Sequence, residues 1–429
     1  MMIEQLYRLY QQHPSIQTDT RKLKKGDLFF ALKGPNFNAN LFALEALERG
    51  AAYAVVDERP EEGQGLKDRL IYVEDVLQAL QALAGYHRSQ LNIPFLAITG
   101  SNGKTTTKEL IHAVLSTTLR TSTTQGNLNN HIGIPLTILA VPVNAEIAVI
   151  EMGANHQKEI EGYCRYTRPT HGIITNAGKA HLEGFGGPEG VKKGKGELYQ
   201  FLREQGGTAF VMWDYDYLRE MSAGIPHIIS YGTKDAALTG VLKRSEPFLS
   251  VDILRGAATG VIPTQLVGDY NLPNVLAAVA VGKYFEVPDD KIATAIAHYT
   301  PSNSRSQLIE QGGNHIILDA YNANPSSMRA AIENFASLKA HSKVLILGAM
   351  AELGKESLAE HLGIVELIGR YPWSQVALVG GDFQKIDHPY LHFTDSKEAA
   401  RWMKNAQLQD QYILIKGSRS TKMEQVLEG

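Results

Sequence analysis

Thr99-Gly100-Ser101-Asn102-Gly103-Lys104-Thr105-Thr106-Thr107 joins an apolar run, 95–99, to a stretch, 104–119, whose residues Leu110, Ile111, Val114, Leu115 and Leu119 fall at helical spacing. A strand, a glycine-bounded loop and an amphipathic helix in that order make a phosphate cradle. The glycines let backbone N–H groups turn toward phosphate oxygens, and the helix N-terminus adds favourable partial charge. Lys104 suits neutralisation of β/γ-phosphate charge, and the Thr105 hydroxyl suits Mg²⁺. The strict motif is GxxxxGK[ST], whereas only Ser101 and Asn102 separate the glycines here. An isolated GxxGKT also reads as a glycine turn with a helix cap, but the strand and helix on either side favour nucleotide binding by Gly100, Asn102, Gly103, Lys104, Thr105 and Thr106.

Working outward, strand-like runs recur at 147–151, 172–175, 209–213 and 227–231, with helix-like spans between most of them. This alternation predicts a largely parallel sheet covered by helices. Residues 236–267 are β-rich and turn-punctuated, which suggests an extra sheet, and helices are expected near 271–284 and 289–298. Before this block, strand-like 27–32 and 52–56 and helix-like 41–48 and 76–86 describe a small α/β unit. After it, strands at 316–319, 344–348, 376–379 and 413–416 alternate with helices at 326–338, 358–370 and 397–405, a doubly wound, Rossmann-like pattern. The expected fold is therefore α/β in three domains, 1–88, 89–300 and 301–429.

Composition narrows the function. The chain of 429 residues is 44% hydrophobic and 20% charged, an ordinary balance for soluble globular domains. Net charge is −3 and no basic block stands out, so no nucleic-acid partner is expected. A single cysteine, Cys164, excludes an intramolecular disulfide and a thiolate metal cluster. It could be a nucleophile, but its apolar surroundings favour a packed thiol. Residues 1–13 are too polar for a signal peptide and no apolar run reaches transmembrane length, so a cytoplasmic chain without membrane insertion is expected.

Other residues gather around the loop. Glu151 ends a strand-like run, where an acid beside a phosphate loop is well placed to hold Mg²⁺; taken alone, it could equally be solvated or capping. His181 lies in Thr175-Asn176-Ala177-Gly178-Lys179-Ala180-His181, and a lone histidine is more often structural. Lys195 follows fourteen residues later, near Lys192 and Lys193, so a surface basic run is the competing reading.

The loop TGxxGKTTT resembles that of the Mur ligases and folylpolyglutamate synthases, and further blocks extend the resemblance to the Mur ligase family along most of the chain. It implies that His181 binds a second magnesium. It also implies that Lys195 is carbamylated, which physics favours because an ammonium would be repelled by the metal. Asn271-Leu272-Pro273-Asn274 resembles the family's NxxNxxAA helix start, implying that Asn274 contacts adenine; Asn271 also suits a helix cap on its own. Arg305 resembles an arginine near the ATP phosphates, and Asp319-Ala320-Tyr321-Asn322-Ala323-Asn324-Pro325 a segment whose aspartate meets the ribose. Asn324-Pro325 is also a good turn before a helix.

The subtype follows from other blocks. Gly126-Asn127-Leu128-Asn129-Asn130-His131-Ile132-Gly133-Ile134-Pro135 resembles a loop of the family branch that adds D-alanyl-D-alanine. Leu347-Gly348-Ala349-Met350-Ala351-Glu352-Leu353-Gly354 and Lys416-Gly417-Ser418-Arg419-Ser420 are similar to blocks of the same branch, although Ala349 stands where an aspartate is usual. Thr18-Asp19-Thr20-Arg21 and the residues from Gly26 to Gly34 resemble a UDP-binding domain, while Asn38-Ala39-Asn40 replaces a family DGH. Thr20, Arg21, Asn127, Asn129, Asn130, Tyr321, Asn322, Lys416, Ser418 and Arg419 are thereby expected to bind substrate.

The resemblance implies ATP-dependent activation of the C-terminal carboxylate of a UDP-N-acetylmuramoyl (UDP-MurNAc) tripeptide as an acyl phosphate. D-Alanyl-D-alanine then attacks to give the pentapeptide of peptidoglycan synthesis. Lys104, Arg305 and Mg²⁺ would screen the anions, with metals near Thr105 and Glu151 and near His181 and Lys195. The last domain is expected to close on the middle one and exclude water. A monomer is expected. The alternatives are a relative adding the third amino acid, a catalytically silent nucleotide-binding protein and a simple P-loop kinase or NTPase.

Overall fold

The computed structural model describes residues 2–59, 67–302 and 304–428, and the chain forms an α/β molecule built on three main sheets. Each sheet draws its strands from one uninterrupted run of sequence. The first has the order Ile16–Gln17, Leu28–Phe30, Tyr53–Val56, Leu70–Tyr72, all parallel. The helix Val76–Gln90 follows and packs against helices Ile3–Gln12, Gly133–Leu139 and Glu159–Thr167. Through these helices the core of the first segment is continuous with the central core.

The central sheet has nine strands among the described residues. Thr121–Thr123, Ile147–Glu151, Phe95–Thr99, His171–Ile174, Thr208–Met212, His227–Gly232 and Leu238–Arg244 lie side by side and parallel. Phe95–Thr99 and Ile147–Glu151 are buried along their whole length, as strands covered on both faces must be. Each large apolar side chain so buried contributes about 1.5–3 kcal/mol. No separate extra sheet forms from residues 236–267. Leu238–Arg244 pairs with His227–Gly232 through Tyr231–Leu238 and Gly232–Thr239, and Ser250–Arg255 and Val261–Pro263 then add antiparallel to the same sheet.

The third sheet has the order Gln307–Gln311, Asn314–Asp319, Tyr412–Lys416, Lys343–Gly348, Gln375–Val379, Leu391–Phe393. Its first two strands form an antiparallel hairpin and the remainder run parallel. Asp319 and Lys416 sit side by side in register at the carboxyl ends of adjacent strands, the edge where ligands bind in open α/β sheets. The phosphate loop and Glu151 occupy the corresponding edge of the central sheet.

Candidate active site

The loop after Phe95–Thr99 is shaped by two glycines that no other residue could replace. Gly100 has φ 144°, and a Cβ there would lie 2.0 Å from Thr175 Oγ1. Gly103 has φ 79° at the start of helix Lys104–Leu115, and its Cβ would lie 2.6 Å from Asn274 Oδ1. Lys104 Nζ donates to the Gly100 carbonyl at 2.7 Å and to that of Ser101 at 3.3 Å, folding back over the loop. Burial lowers the Lys104 pKa, with Glu151 opposing the shift and Arg305 adding to it.

Glu151 is buried. Its Oε1 accepts from Thr105 Oγ1 at 3.1 Å and Asn129 Nδ2 at 2.7 Å, and its backbone N–H donates to Thr124 Oγ1 at 2.9 Å. Its Oε2 has no hydrogen-bond partner. A buried carboxylate oxygen left unsatisfied next to a threonine hydroxyl is costly unless a cation completes it. The pair therefore fits a hard, oxygen-seeking ion such as Mg²⁺. No group of three His, Cys, Asp or Glu side chains suited to a metal occurs among the described residues.

His181, at φ 51°, turns its Nδ1 against the Glu352 carboxylate, close enough for an ion pair but not aligned as a hydrogen bond. That contact holds the Glu352 carboxyl below its usual pKa. Lys195 lies on the buried stripe of helix Pro188–Gln205 with Val191, Gly194, Leu198 and Leu202, whereas Lys192 pairs with Glu189 and Lys193 is exposed. The lysines are thus not one surface run. Lys195 Nζ donates to the Ala154 carbonyl at 3.0 Å and sits 4.9 Å from the Phe185 ring centre. Burial drives its pKa well down, and nearby Lys104 pushes in the same direction. Cys164 is a packed thiol whose pKa burial raises, which excludes a ready nucleophile.

A cleft of about 940 Å³ joins the central and third units. Of the expected residues, Asn102, Gly103, Lys104, Thr105, Thr106, Asn129, Asn130, Glu151, His181, Asn274, Arg305, Asp319, Tyr321, Asn322 and Lys416 line it. The Arg305 guanidinium stacks 3.6 Å from the Tyr321 ring centre. Buried Lys416 donates to Asp319 Oδ2 at 2.5 Å and to the Asn322 carbonyl at 3.2 Å. Asn274 accepts from Thr107 Oγ1 at 3.0 Å and donates to Asn271 Oδ1 at 2.8 Å, so it braces the loop's helix as well as facing the cleft. Asn271 precedes the helix Leu272–Tyr284 on which Asn274 lies, but its side chain makes no cap; it donates to the Val267 carbonyl instead.

Other expected residues lie off the cleft wall. Ser418 is buried and donates to the Ala349 carbonyl at 2.6 Å, and Arg419 pairs with Glu424 on the surface. Asn127 is exposed, its carbonyl accepting from the Asn129 N–H at 2.8 Å. Thr20 and Arg21 belong to the first unit, where Arg21 pairs with Asp19 in solvent. Sequence reasoning passed over Asn324, Ser326 and Ser327, which line the cleft, and Lys179 and Glu352, which meet partners across it. The turn signal at Asn324-Pro325 marked the right place without its role.

Comparison with known proteins shows what the chain is similar to. The model for the Mur ligase family catalytic domain matches residues 14–88, that for the Mur ligase middle domain residues 98–282, and that for the Mur ligase glutamate ligase domain residues 304–419. The UDP-N-acetylmuramoyl-tripeptide--D-alanyl-D-alanine ligase of Bacillus subtilis (strain 168) is 35% identical, over 96% of this chain and 92% of that protein. The Escherichia coli (strain K12) protein of the same name is 36% identical over the same shares. Among solved structures, a MurF from Acinetobacter baumannii superimposes with a TM-score of 0.87 at 30% identity, covering 100% of this chain and 98% of that one. MurF ligase from Thermotoga maritima in complex with ADP gives 0.85 at 25% identity, covering 97% of each.

Proposed function

This chain belongs to the Mur ligase family, and from that premise we infer how its own residues carry out the reaction. It is an ATP-dependent ligase that joins D-alanyl-D-alanine to UDP-MurNAc-tripeptide through an acyl phosphate, giving the UDP-MurNAc-pentapeptide of peptidoglycan synthesis. The observation that carries the assignment of parts is the meeting of Lys104, Thr105 and Glu151 with Arg305, Asp319 and Lys416 around one cleft.

In our reading the loop N–H groups and Lys104 hold the β- and γ-phosphates, and Arg305 screens the γ-phosphoryl group from the third unit's side. Both cations lower the repulsion between phosphate and the tripeptide carboxylate that attacks it. Asp319, fixed by Lys416, is assigned to the ribose, and the free N–H of Asn274 to adenine. Thr105 and Glu151 would hold one Mg²⁺, and His181 with a carbamylated Lys195 a second; bound there, the ions would neutralise and orient phosphate oxygens. The low pKa of Lys195 supports carbamylation, because only the neutral amine attacks CO₂. Asn129 and Asn130 are assigned to the peptide substrates, with Tyr321 and Asn322 shaping the third unit's share of the site. The first unit, with Thr20 and Arg21, is assigned to the UDP moiety. We further infer that the protein works as a cytoplasmic monomer, where ATP and nucleotide-linked sugars are found; no described helix is long and apolar enough to cross a membrane.

The test is phosphate release from ATP and Mg²⁺ with UDP-MurNAc-tripeptide, with and without D-alanyl-D-alanine. Release that needs both, with pentapeptide nucleotide detected by mass spectrometry, is expected. Turnover with a free amino acid in place of the dipeptide would overturn the substrate assignment.

A further inference from the structure

The phosphate loop is bonded across the cleft to the cap of a helix in the third unit. Asn324 precedes helix Pro325–Ser337, and its Oδ1 accepts the Ser327 N–H at 2.9 Å while Ser327 Oγ accepts the Asn324 N–H at 3.1 Å. That reciprocal cap uses only the oxygen of the side-chain amide. The Nδ2 group donates instead to Asn102 Oδ1, at 2.7 Å.

The Asn102 main chain is already committed to its own unit. Its N–H donates to Asn176 Oδ1 at 3.0 Å, and its carbonyl accepts from Thr175 Oγ1 at 2.6 Å and Asn176 Nδ2 at 3.1 Å. The side chain alone faces outward, and Asn324 takes it. Next to this contact, the Lys179 N–H donates to Ser326 Oγ at 3.0 Å, so both lips of the central unit meet the same helix start.

Capping alone does not require asparagine, since aspartate and serine cap about as well. Only asparagine caps with one atom and donates across the cleft with another. We propose that Asn324 is a positioning residue that ties the closed position of the third unit to the geometry of the phosphate loop, so that closure and phosphoryl transfer occur together. The proposal rests on the ligase reading above. Its consequence concerns the acyl phosphate. When the seam is loose, water replaces the amine: its oxygen bonds to the acyl carbon, the acyl–phosphate bond breaks, phosphate leaves and the tripeptide carboxylate is regenerated. One ATP is then spent without product.

The test uses Asn324→Asp and Asn324→Ser in the full chain. Both keep the helix cap; the first also sets a carboxylate against Asn102 Oδ1. Phosphate release, pentapeptide formation and melting temperature are measured together. We expect melting within about 2 °C of wild type, kcat lower by about tenfold, the scale of one charge-free hydrogen bond lost at a closed seam, and more than one phosphate per pentapeptide. In an Asn102→Ala background the further effect of Asn324→Ser should largely vanish. Unchanged kcat with one phosphate per product would overturn the proposal, as would a lower melting temperature with coupling intact, which marks a cap and nothing more. Wild-type phosphate release indifferent to the dipeptide would instead defeat the ligase reading, so the two failures are distinct.

Discussion

The Thr105 hydroxyl donates to Glu151 Oε1 across 3.1 Å, while Glu151 Oε2 is buried and unpartnered. One oxygen of the carboxylate is thus anchored, and the other is held ready beside the phosphate loop. The anchoring extends through Thr124, which accepts the Glu151 N–H and whose carbonyl accepts from buried Lys108 Nζ at 2.6 Å.

Glu151→Gln keeps the shape and the Oε1 acceptor but removes the charge. We expect kcat to fall at least about a hundredfold and the Mg²⁺ concentration for half-maximal rate to rise, with no loss of thermal stability. Turnover close to wild type at ordinary Mg²⁺ would remove Glu151 from the metal site.

Lys195 gives a prediction independent of any bound metal. A neutral amine attacks CO₂, forming the N–C bond and releasing a proton, and burial favours that neutral form of Lys195. Activity should drop in CO₂-depleted buffer and return with bicarbonate, and intact mass at mild pH should show the added CO₂. Indifference of the rate to bicarbonate would argue for a plain amine.

Arg305→Lys keeps the positive charge and loses the planar stack on Tyr321, 3.6 Å away. Guanidinium and ammonium are not equivalent at a stacked phosphate site, so the KM for ATP should rise by about five- to tenfold. Steady-state kinetics with the other substrates saturating would show it; an unchanged KM would place Arg305 outside the nucleotide site.

His171 predicts the acid limit of stability. Burial lowers its pKa to about 4 from 6.5, and it packs among Phe210, Tyr284 and Phe285. The unfolded chain binds the proton first as pH falls, so this stabilisation is complete above 6.5 and is lost between 6.5 and 4. The span corresponds to about 3 kcal/mol at most. In denaturant titrations, His171→Phe should lose clearly less stability than wild type between neutral pH and pH of about 4.5. Parallel losses would mean that other groups set the acid limit.

Much of this architecture was legible because it is locally encoded. Phe95–Thr99 and Ile147–Glu151 are short, mostly apolar runs with no amphipathic period, as strands covered on both faces are. The Lys195 side was harder: three lysines in four residues look like a surface run until the helical stripe turns one inward. The residues 236–267 are β-rich in pattern, yet periodicity says nothing of the neighbouring strand, and the Tyr231–Leu238 and Gly232–Thr239 pairings reveal that they extend the central sheet. Asn324 illustrates the same limit in the site. Its cap is a local signal, but its partner lies 222 positions away. The substitution at Ala349 was visible, and the structure shows its surroundings: the residue is buried and its carbonyl is held by Ser418, with Gly381 against its Cβ.

The contiguity of the three sheets bears on how the enzyme is made. No sheet waits for a strand encoded in a later one, so each can assemble as it leaves the ribosome, in N-to-C order. The phosphate loop is synthesised early, whereas Arg305, Asp319, Asn324 and Lys416 emerge among the last portions of the chain. A nascent chain can therefore present a nucleotide-binding loop well before it can complete the catalytic cleft.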